Sequence, residues 1–233
     1  MQIVFQHPES ALNPRMRIYD SLIEPMRIQH LVNNRSEEKE KACELIELVG
    51  LNEEHLSRYP HELSGGQIQR VVLARILSLQ PEFIVADEPT SMLDVSVQAQ
   101  VLNLFKDIQQ KYHITYLFIS HDLDVVRWMS DRIAVMYEGR VVEIGPAAGV
   151  CENPQHPYTS LLVDSFSALG NNVHQSAVVP DAGLDKPPVG CKYSPYCSRV
   201  SIACNNKPDL KEVGKNHFVA CWEVEESRVF NIL

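Results

Sequence analysis

Two short apolar runs, each ending in polar or charged residues, constrain the fold of this chain more than any other feature. The runs are Phe83-Ile84-Val85-Ala86, followed by Asp87 and Glu88, and Thr115–Ile119, with His121 two residues beyond it. Apolar runs of this length are typical of strands buried inside a parallel sheet. Helical patterns over about 66–79 and 95–111 accompany them. This alternation predicts an α/β fold, with a mostly parallel sheet and covering helices.

Local signals predict three further elements. Residues 2–6 have the pattern of a strand and its exit. Ser36 is predicted to cap a helix that runs to about residue 49. Residues 132–144 alternate around a Glu138-Gly139 turn, which predicts a β-hairpin.

Composition argues against several classes of protein. The formal net charge of −9 argues against a nucleic-acid binder held by a basic surface. No apolar run of about 18 residues occurs, and residues 1–10 lack the basic-then-apolar pattern of a signal peptide. We therefore expect a cytoplasmic chain with no nucleic-acid partner, which reaches a membrane only through a partner protein.

The most specific motif is Ser64-Gly65-Gly66-Gln67, at the start of a predicted helix. Its glycines expose backbone N–H groups beside a serine hydroxyl. That arrangement suits an anion such as a γ-phosphate. An ordinary helix N-cap with a glycine turn is the alternative interpretation.

Charged residues at the ends of the two apolar runs suggest hydrolytic chemistry. Asp87 and Glu88 end a buried strand, where charges are costly unless they serve a function. Asp87 can hold Mg²⁺ through water, and Glu88 can orient or deprotonate an attacking water. His121, after the next strand, can contact a γ-phosphate. Taken singly, they could equally be solvated loop acids and a structural histidine.

These motifs occur in one order with further elements. Gln6 precedes them, Leu63 extends the serine–glycine motif, and Ser91-Met92-Leu93-Asp94 follows the two acids. Over residues 2–145 the arrangement resembles the ATP-binding domain of ABC ATPases. The resemblance implies an α/β ABC ATPase nucleotide-binding domain with a helical signature subdomain at about 16–80.

The resemblance also implies roles for the residues around ATP and Mg²⁺. Glu88 and His121 are the expected catalytic residues, because Glu88 would polarise water and His121 would contact the γ-phosphate. Gln6 and Asp87 are the expected Mg²⁺ residues, with Asp87 acting through water.

A second ABC ATPase subunit is implied as a head-to-tail partner. The residues that would contact the nucleotide held by that partner are Ser64, Gly65, Gly66 and Gln67. Asp94 would link the two nucleotide sites.

Three segments resemble a narrower group, the ATPases of oligopeptide and dipeptide importers. They are residues 4–15, 94–100 and 153–159. The resemblance implies peptide import with two transmembrane permease subunits, an extracytoplasmic substrate-binding protein, and a peripheral position on the cytoplasmic face of the plasma membrane. Importers of nickel and other small solutes share these segments and remain an alternative.

One motif of the ABC family does not occur in the sequence. No G-x-x-x-x-G-K-[ST] loop is present, although this Walker A loop precedes the glutamine in the family. We therefore expect an N-terminally truncated fragment of an importer ATPase that is inactive alone. A non-catalytic or decayed subunit that only donates its signature motif is the other interpretation.

Four cysteines lie close together in the C-terminal part: Cys191, Cys197, Cys204 and Cys221. In a cytosolic chain such a group favours a metal over disulfides. Their spacing does not fit the paired C-x-x-C pattern of zinc ribbons. We therefore favour a [4Fe–4S] cluster, with zinc and unmetallated thiols as alternatives.

The changes in composition divide the chain into three predicted parts. The first is a partial ABC ATPase domain, residues 1–145. The second is a C-terminal extension and linker, residues 146–190, which includes a polar loop from Gly170 to Gly190. The third is a small Cys-rich tail, residues 191–233.

Overall fold

The computed structural model describes residues 1–170 and 190–224, and it divides the chain into two units, residues 1–121 and 122–233. The first unit contains, in chain order, β1 (Gln2–Val4), α1 (Ile18–Ile28), α2 (Arg35–Leu48), α3 (Gly65–Leu77), β2 (Phe83–Asp87), α4 (Val95–Tyr112) and β3 (Thr115–Ile119). The second contains α5 (Leu123–Met129), β4 (Arg132–Tyr137), β5 (Arg140–Pro146), α6 (Ala147–Glu152), α7 (Pro157–Gly170), β6 (Lys211–Gly214) and β7 (His217–Val219).

A three-stranded parallel sheet in the order β1-β2-β3 forms the centre of the first unit. Ile84 of β2 pairs with Gln2 of β1 and with Tyr116 of β3. Ile84 and Ala86 are completely buried. Phe105 of α4 packs edge-on against Tyr116, with 5.5 Å between ring centroids. The predicted α/β fold with a parallel sheet and covering helices is therefore confirmed.

The strand over residues 115–119 was predicted to be buried, but the structure buries only one face of it. Leu117 and Ile119 of β3 are 51% and 44% exposed, and Ile3 of β1 is 40% exposed. Alternate side chains of a strand point to opposite faces, so burial alternates along β3. Helices of the first unit cover only one of the two faces.

Side chains cap the starts of α2, α3 and α4 in the first unit. Asn34, not the predicted Ser36, caps α2, because its side-chain oxygen accepts the N–H groups of Ser36 and Glu37 at 3.0 Å each. Asparagine and serine cap about equally well, so the sequence alone does not choose between neighbours of these two types. Helices α1, α2 and α3 occupy the region in which we predicted a helical subdomain.

The second unit contains a four-stranded antiparallel sheet in the order β4-β5-β7-β6. Strands β4 and β5 form the predicted hairpin. Its turn residues Glu138 and Gly139 both have positive φ, 43° and 76°, as a type I′ turn requires. Strand β7 pairs with β5, with Val219 opposite Glu143. The hairpin therefore shares a sheet with a strand of the Cys-rich tail.

The predicted three-part division of the chain stays a prediction. The structure groups the hairpin and the tail in one unit, because β5 and β7 are neighbours in one sheet. The predicted polar loop between Gly170 and Gly190 lies, apart from its two ends, outside the described residues.

A buried carboxylate joins three segments of the second unit. Glu143 on β5 has no exposed side-chain surface and accepts the N–H groups of Gln155 and His156 at 2.9 Å each. The ring of His217 on β7 lies 2.7 Å from the same carboxylate. A Cβ at Gly145 would crowd this ring, so glycine permits its close approach to β5. We call these contacts the Glu143 clasp, because they tie β5, the segment before α7, and β7 together.

Candidate active site

The carboxyl ends of the three parallel strands bring predicted site residues together. Gln6 follows β1, Glu88 follows β2, and His121 follows β3. The amide nitrogen of Gln6 donates to one carboxylate oxygen of Glu88 at 2.7 Å, and Nδ1 of His121 lies 3.1 Å from the other. Open α/β sheets bind their ligands beyond the carboxyl ends of strands. The geometry therefore forms one site with Glu88 at its centre.

The backbone of Glu88 adopts an unusual conformation. Its φ of 44° lies in the left-handed region, which costs a non-glycine residue about 1 kcal/mol or more. Its N–H donates to the carbonyl of Ile119 at 2.9 Å, and its carbonyl accepts the Ser91 hydroxyl at 3.1 Å. Strain of this kind clusters at functional sites. Ser91 was named only as part of the segment Ser91-Met92-Leu93-Asp94, and the sequence gives no signal for its contact with Glu88.

Oxygen atoms that suit Mg²⁺ lie beside Glu88. Asp87 is exposed at the end of β2. Gln6 uses its amide nitrogen on Glu88, which leaves its carbonyl oxygen for another partner. Carboxylate and amide oxygens, completed by water, are the ligands that Mg²⁺ takes in proteins. The residues present therefore fit the ion.

The predicted anion-binding motif lies at the start of α3. The N–H of Ser64 donates to Oε1 of Gln67 at 2.9 Å, and the Ser64 hydroxyl accepts the N–H of Gln67 at 3.4 Å. A Cβ at Gly66 would overlap Val97 of α4, so this packing requires glycine. The reciprocal cap is what the N-cap interpretation predicts. Gly65 is exposed at the positive end of the helix, so the anion-binding interpretation stays open as well.

Asp94 caps the next helix. Its carboxylate accepts the N–H groups of Val97 at 3.0 Å and Ser96 at 3.1 Å, and the Ser96 hydroxyl at 2.9 Å. These bonds, the one from the Val97 N–H above all, lower the pKa of Asp94 below its usual value. The structure thus gives Asp94 a local role at the start of α4. Its role in linking two nucleotide sites stays a prediction.

His55 supports the signature motif, residues 63–67, although no sequence pattern marks this histidine. Its Nδ1 lies 3.1 Å from the carbonyl of Asn52, and its Nε2 lies 3.4 Å from the amide nitrogen of Gln67. The N–H of Asn52 also lies 3.2 Å from Nδ1, so the contact with Gln67 requires the tautomer protonated at Nδ1, in which Nδ1 donates to the Asn52 carbonyl and Nε2 accepts from Gln67. Gln67 is therefore held from two sides, by His55 and by the N–H of Ser64.

The predicted metal site at the four C-terminal cysteines is not supported by the structure. Within residues 1–170 and 190–224, no group of three or more histidine, cysteine, aspartate or glutamate side chains is arranged to hold a metal ion. The sulfur atoms of Cys197 and Cys204 accept backbone N–H groups at 3.4 and 3.5 Å. Burial raises the pKa of the Cys191 and Cys221 thiols, and the charges of neighbouring cysteines raise it further. The structure therefore does not support the predicted iron–sulfur or zinc site.

The fold of the chain is similar to that of solved ATP-binding cassettes. One of them, a dimer in a post-hydrolysis state with ADP and phosphate bound, gives a TM-score of 0.55 at 28% identity, over 63% of this chain and 63% of its own length. Residues 1–91 match the ABC transporter family, and residues 142–204 match the oligopeptide/dipeptide transporter C-terminal region. These similarities place the fold among the ABC ATPases.

Two curated relatives narrow the class. The oligopeptide transport ATP-binding protein OppF of Bacillus subtilis is 46% identical over 225 residues, which is 97% of this chain and 70% of that protein. The di/tripeptide transport ATP-binding protein DppF of Pseudomonas aeruginosa is 45% identical over 230 residues, 97% of this chain and 71% of that protein. The chain belongs to the OppF/DppF family of ABC transporter ATP-binding proteins, and the resemblance drawn from its motifs is confirmed.

The contact between His55 and Gln67 leads to a kinetic prediction. We expect His55→Phe to raise the KM for ATP roughly fivefold, the equivalent of about 1 kcal/mol for a lost hydrogen bond. His55→Gln should restore most of the affinity, because its amide oxygen can accept from Gln67. The measurement is the KM and kcat of ATP hydrolysis by the assembled transporter, with the unfolding midpoint recorded alongside. Equal KM values in both variants and the wild type would contradict the positioning role of His55.

Proposed function

We propose that the chain is the ATP-binding and ATP-hydrolysing subunit of an ABC importer of oligopeptides and dipeptides. The observation that carries the proposal is the carboxylate of Glu88, which lies between Gln6 and His121 beyond the end of β2. The relatives support the cargo, since the names of two of them refer to oligopeptide and to di- and tripeptide transport.

In this proposal Glu88 is the general base. Its carboxylate orients the water that attacks the γ-phosphate of ATP and accepts a proton from it. The bond from Gln6 fixes one carboxylate oxygen, and the other faces His121. The side chain of His121 is 73% exposed, so its ring has room to turn towards a γ-phosphate. Bound Mg²⁺ neutralises charge on the phosphates, and Gln6 and Asp87 would hold it, Asp87 through water.

The proposed working form is a head-to-tail dimer with a second ABC ATPase subunit. The similar solved cassette is a dimer. Ser64 and Gly65 are exposed at the start of α3, where they can reach a nucleotide held by the other subunit. Asp94, exposed at the start of α4, would link the two sites.

We propose that the transporter has two transmembrane permease subunits, and a groove in the first unit suits contact with one of them. Its volume is about 480 Å³, and its lining includes Arg15, Arg17, Ile28 and Tyr59. The guanidinium of Arg17 lies 5.7 Å from the ring centre of Tyr59, and Ile28 is 67% exposed. Arginine and aromatic side chains are enriched in protein interfaces. The coupling of ATP hydrolysis to import would run through the Gln6 segment and residues 16–58.

The membrane contact in this proposal is indirect. Among the described residues, no helix has both the length and the hydrophobicity needed to cross a bilayer. We place the subunit on the cytoplasmic face of the plasma membrane, held there by the permease subunits. A substrate-binding protein on the opposite side would deliver the peptide.

Deletion of the gene tests the proposed cargo. We expect a deletion strain to lose uptake of a radiolabelled tripeptide and to keep uptake of radiolabelled nickel, and the wild-type gene to restore peptide uptake. Loss of nickel uptake with intact peptide uptake would show that the cargo is nickel and not peptides. Unchanged uptake of both would show that the chain does not energise either transporter.

A further inference from the structure

A cavity in the second unit has no part in the chemistry described above. Its volume is about 280 Å³, and it lies between the β4–β5 hairpin, the segment around Tyr193, and residues 207–210. Pockets for drug-sized ligands occupy about 300–1,000 Å³, so this cavity suits a smaller molecule. We propose that it binds a small organic carboxylate, with the carboxylate against cationic side chains and the apolar part against tyrosine rings.

The charges in the cavity favour an anion. Arg140 and Lys207 line it, and neither side chain has a hydrogen bond or ion pair to another described residue. Lys192 also lines it, but its ammonium group donates to the carbonyl of Glu138 at 2.8 Å and lies 3.5 Å from the Glu138 carboxylate. Asp209 is the only acid in the described lining. A guanidinium and an ammonium group that no described side chain pairs with are natural ligands of a carboxylate.

A buried histidine adds a fixed hydrogen-bond donor to the same wall. His156 lines the cavity and is 1% exposed. Its Nδ1 accepts the N–H of Tyr158 at 3.1 Å, so the hydrogen of the neutral ring is on Nε2. Burial lowers the pKa of His156 to about 4, which keeps the ring neutral at cellular pH. No described residue accepts from Nε2, so the ring offers an N–H to a ligand oxygen.

The remaining wall is apolar and aromatic. The rings of Tyr137 and Tyr193 pack edge to face, with 5.3 Å between their centroids, and Leu210 also lines the cavity. Tyr193 is buried, so this part of the cavity is formed by rigid groups. A ligand that fills the cavity therefore needs an apolar group as well as a carboxylate, and inorganic phosphate lacks one.

Two kinds of molecule carry both a carboxylate and an apolar group, and contact with Asp209 distinguishes between them. A plain organic acid would use the cationic side chains alone. An amino acid or short peptide would also place its ammonium group near Asp209. Both share the carboxylate and the apolar group on which the proposal depends.

Titration calorimetry on the full chain tests the proposal with three probes: 3-phenylpropionate, L-phenylalanine and inorganic phosphate. We expect at least one of the two organic acids to bind at millimolar concentration and phosphate to bind more weakly. Binding of phosphate alone, or of no probe, would overturn the proposal. Weaker binding of phenylalanine to Asp209→Asn, with phenylpropionate unchanged, would identify amino acids or peptides as the source.

Matched substitutions locate the binding. Arg140→Gln and Lys207→Gln should each weaken binding about tenfold, as expected for the loss of one charged hydrogen bond. Lys215→Gln and Arg132→Gln are the controls, because these exposed cations of the same unit do not line the cavity. Equal affinities in all four variants would show that the acid binds elsewhere and would overturn the proposal.

Discussion

Replacing Glu88 by glutamine should reduce ATP hydrolysis by the assembled transporter about a hundredfold or more, without a comparable loss of ATP binding. The amide keeps the shape of the carboxylate, but it cannot take a proton from the attacking water. General bases contribute about 10²–10⁴-fold to rates, which sets the size of the effect. The measurement is phosphate release at saturating ATP in proteoliposomes, with bound nucleotide counted in parallel. ATP should accumulate on the variant.

A second acid, at the other end of the same strand, provides the control. Glu82 is exposed just before β2, at the end of the strand opposite to Glu88. Glu82→Gln makes the same chemical change away from the site, so its turnover should match the wild type. Wild-type turnover in Glu88→Gln would show that Glu88 is not the base. A loss of turnover in both variants would show that the effect does not come from the active site.

The residues of the candidate site could be predicted because each follows a strand that the sequence marks clearly. Asp87 and Glu88 come directly after an apolar run, and His121 comes just beyond another. Parallel strands run in one direction, so their carboxyl ends meet at one edge of the sheet. The contacts from Gln6 and His121 to Glu88 are a consequence of this topology.

The residues that hold the site in shape were not predictable in the same way. The left-handed backbone of Glu88 depends on the carbonyl of Ile119, which is brought to it only by the pairing of β2 with β3. His55 lies several residues before the signature motif, and the residues next to it in the sequence do not distinguish it from a surface histidine. Such contacts arise from tertiary packing, which local propensity does not encode.

In the second unit, the sequence pattern alone did not predict the buried polar contacts. Four nearby cysteines predicted a metal site, which the described residues do not support. Conversely, Glu143 stands inside the apolar strand Arg140–Pro146, and an acid at such a position was a signal that we did not use. A charged residue in an inward-facing strand position requires a buried partner. His217 and two backbone N–H groups are the partners that the structure reveals.

Replacing Glu143 by alanine should destabilise the second unit by about 3 kcal/mol or more, because each buried hydrogen-bonding group that loses its partner costs about 1–3 kcal/mol. The substitution leaves the N–H groups of Gln155 and His156 without their acceptor. It also leaves the ring of His217 without the carboxylate that ties β7 to β5. Unsatisfied buried donors cost more than the bonds they lose, so the effect should exceed that of a surface acid several-fold.

Tryptophan fluorescence during urea unfolding measures this effect selectively. Both tryptophans of the chain, Trp128 and Trp222, lie in the second unit, so the signal reports that unit alone. Glu143→Gln should fall between alanine and the wild type, because one amide oxygen replaces two acceptors. Glu152→Ala is the control: this side chain is 66% exposed beside Arg127, and its loss should cost less than about 1 kcal/mol. If Glu143→Ala unfolds at the same urea concentration as Glu152→Ala, the Glu143 clasp does not stabilise the unit, and the sheet pairing of β5 with β7 must be sufficient without it.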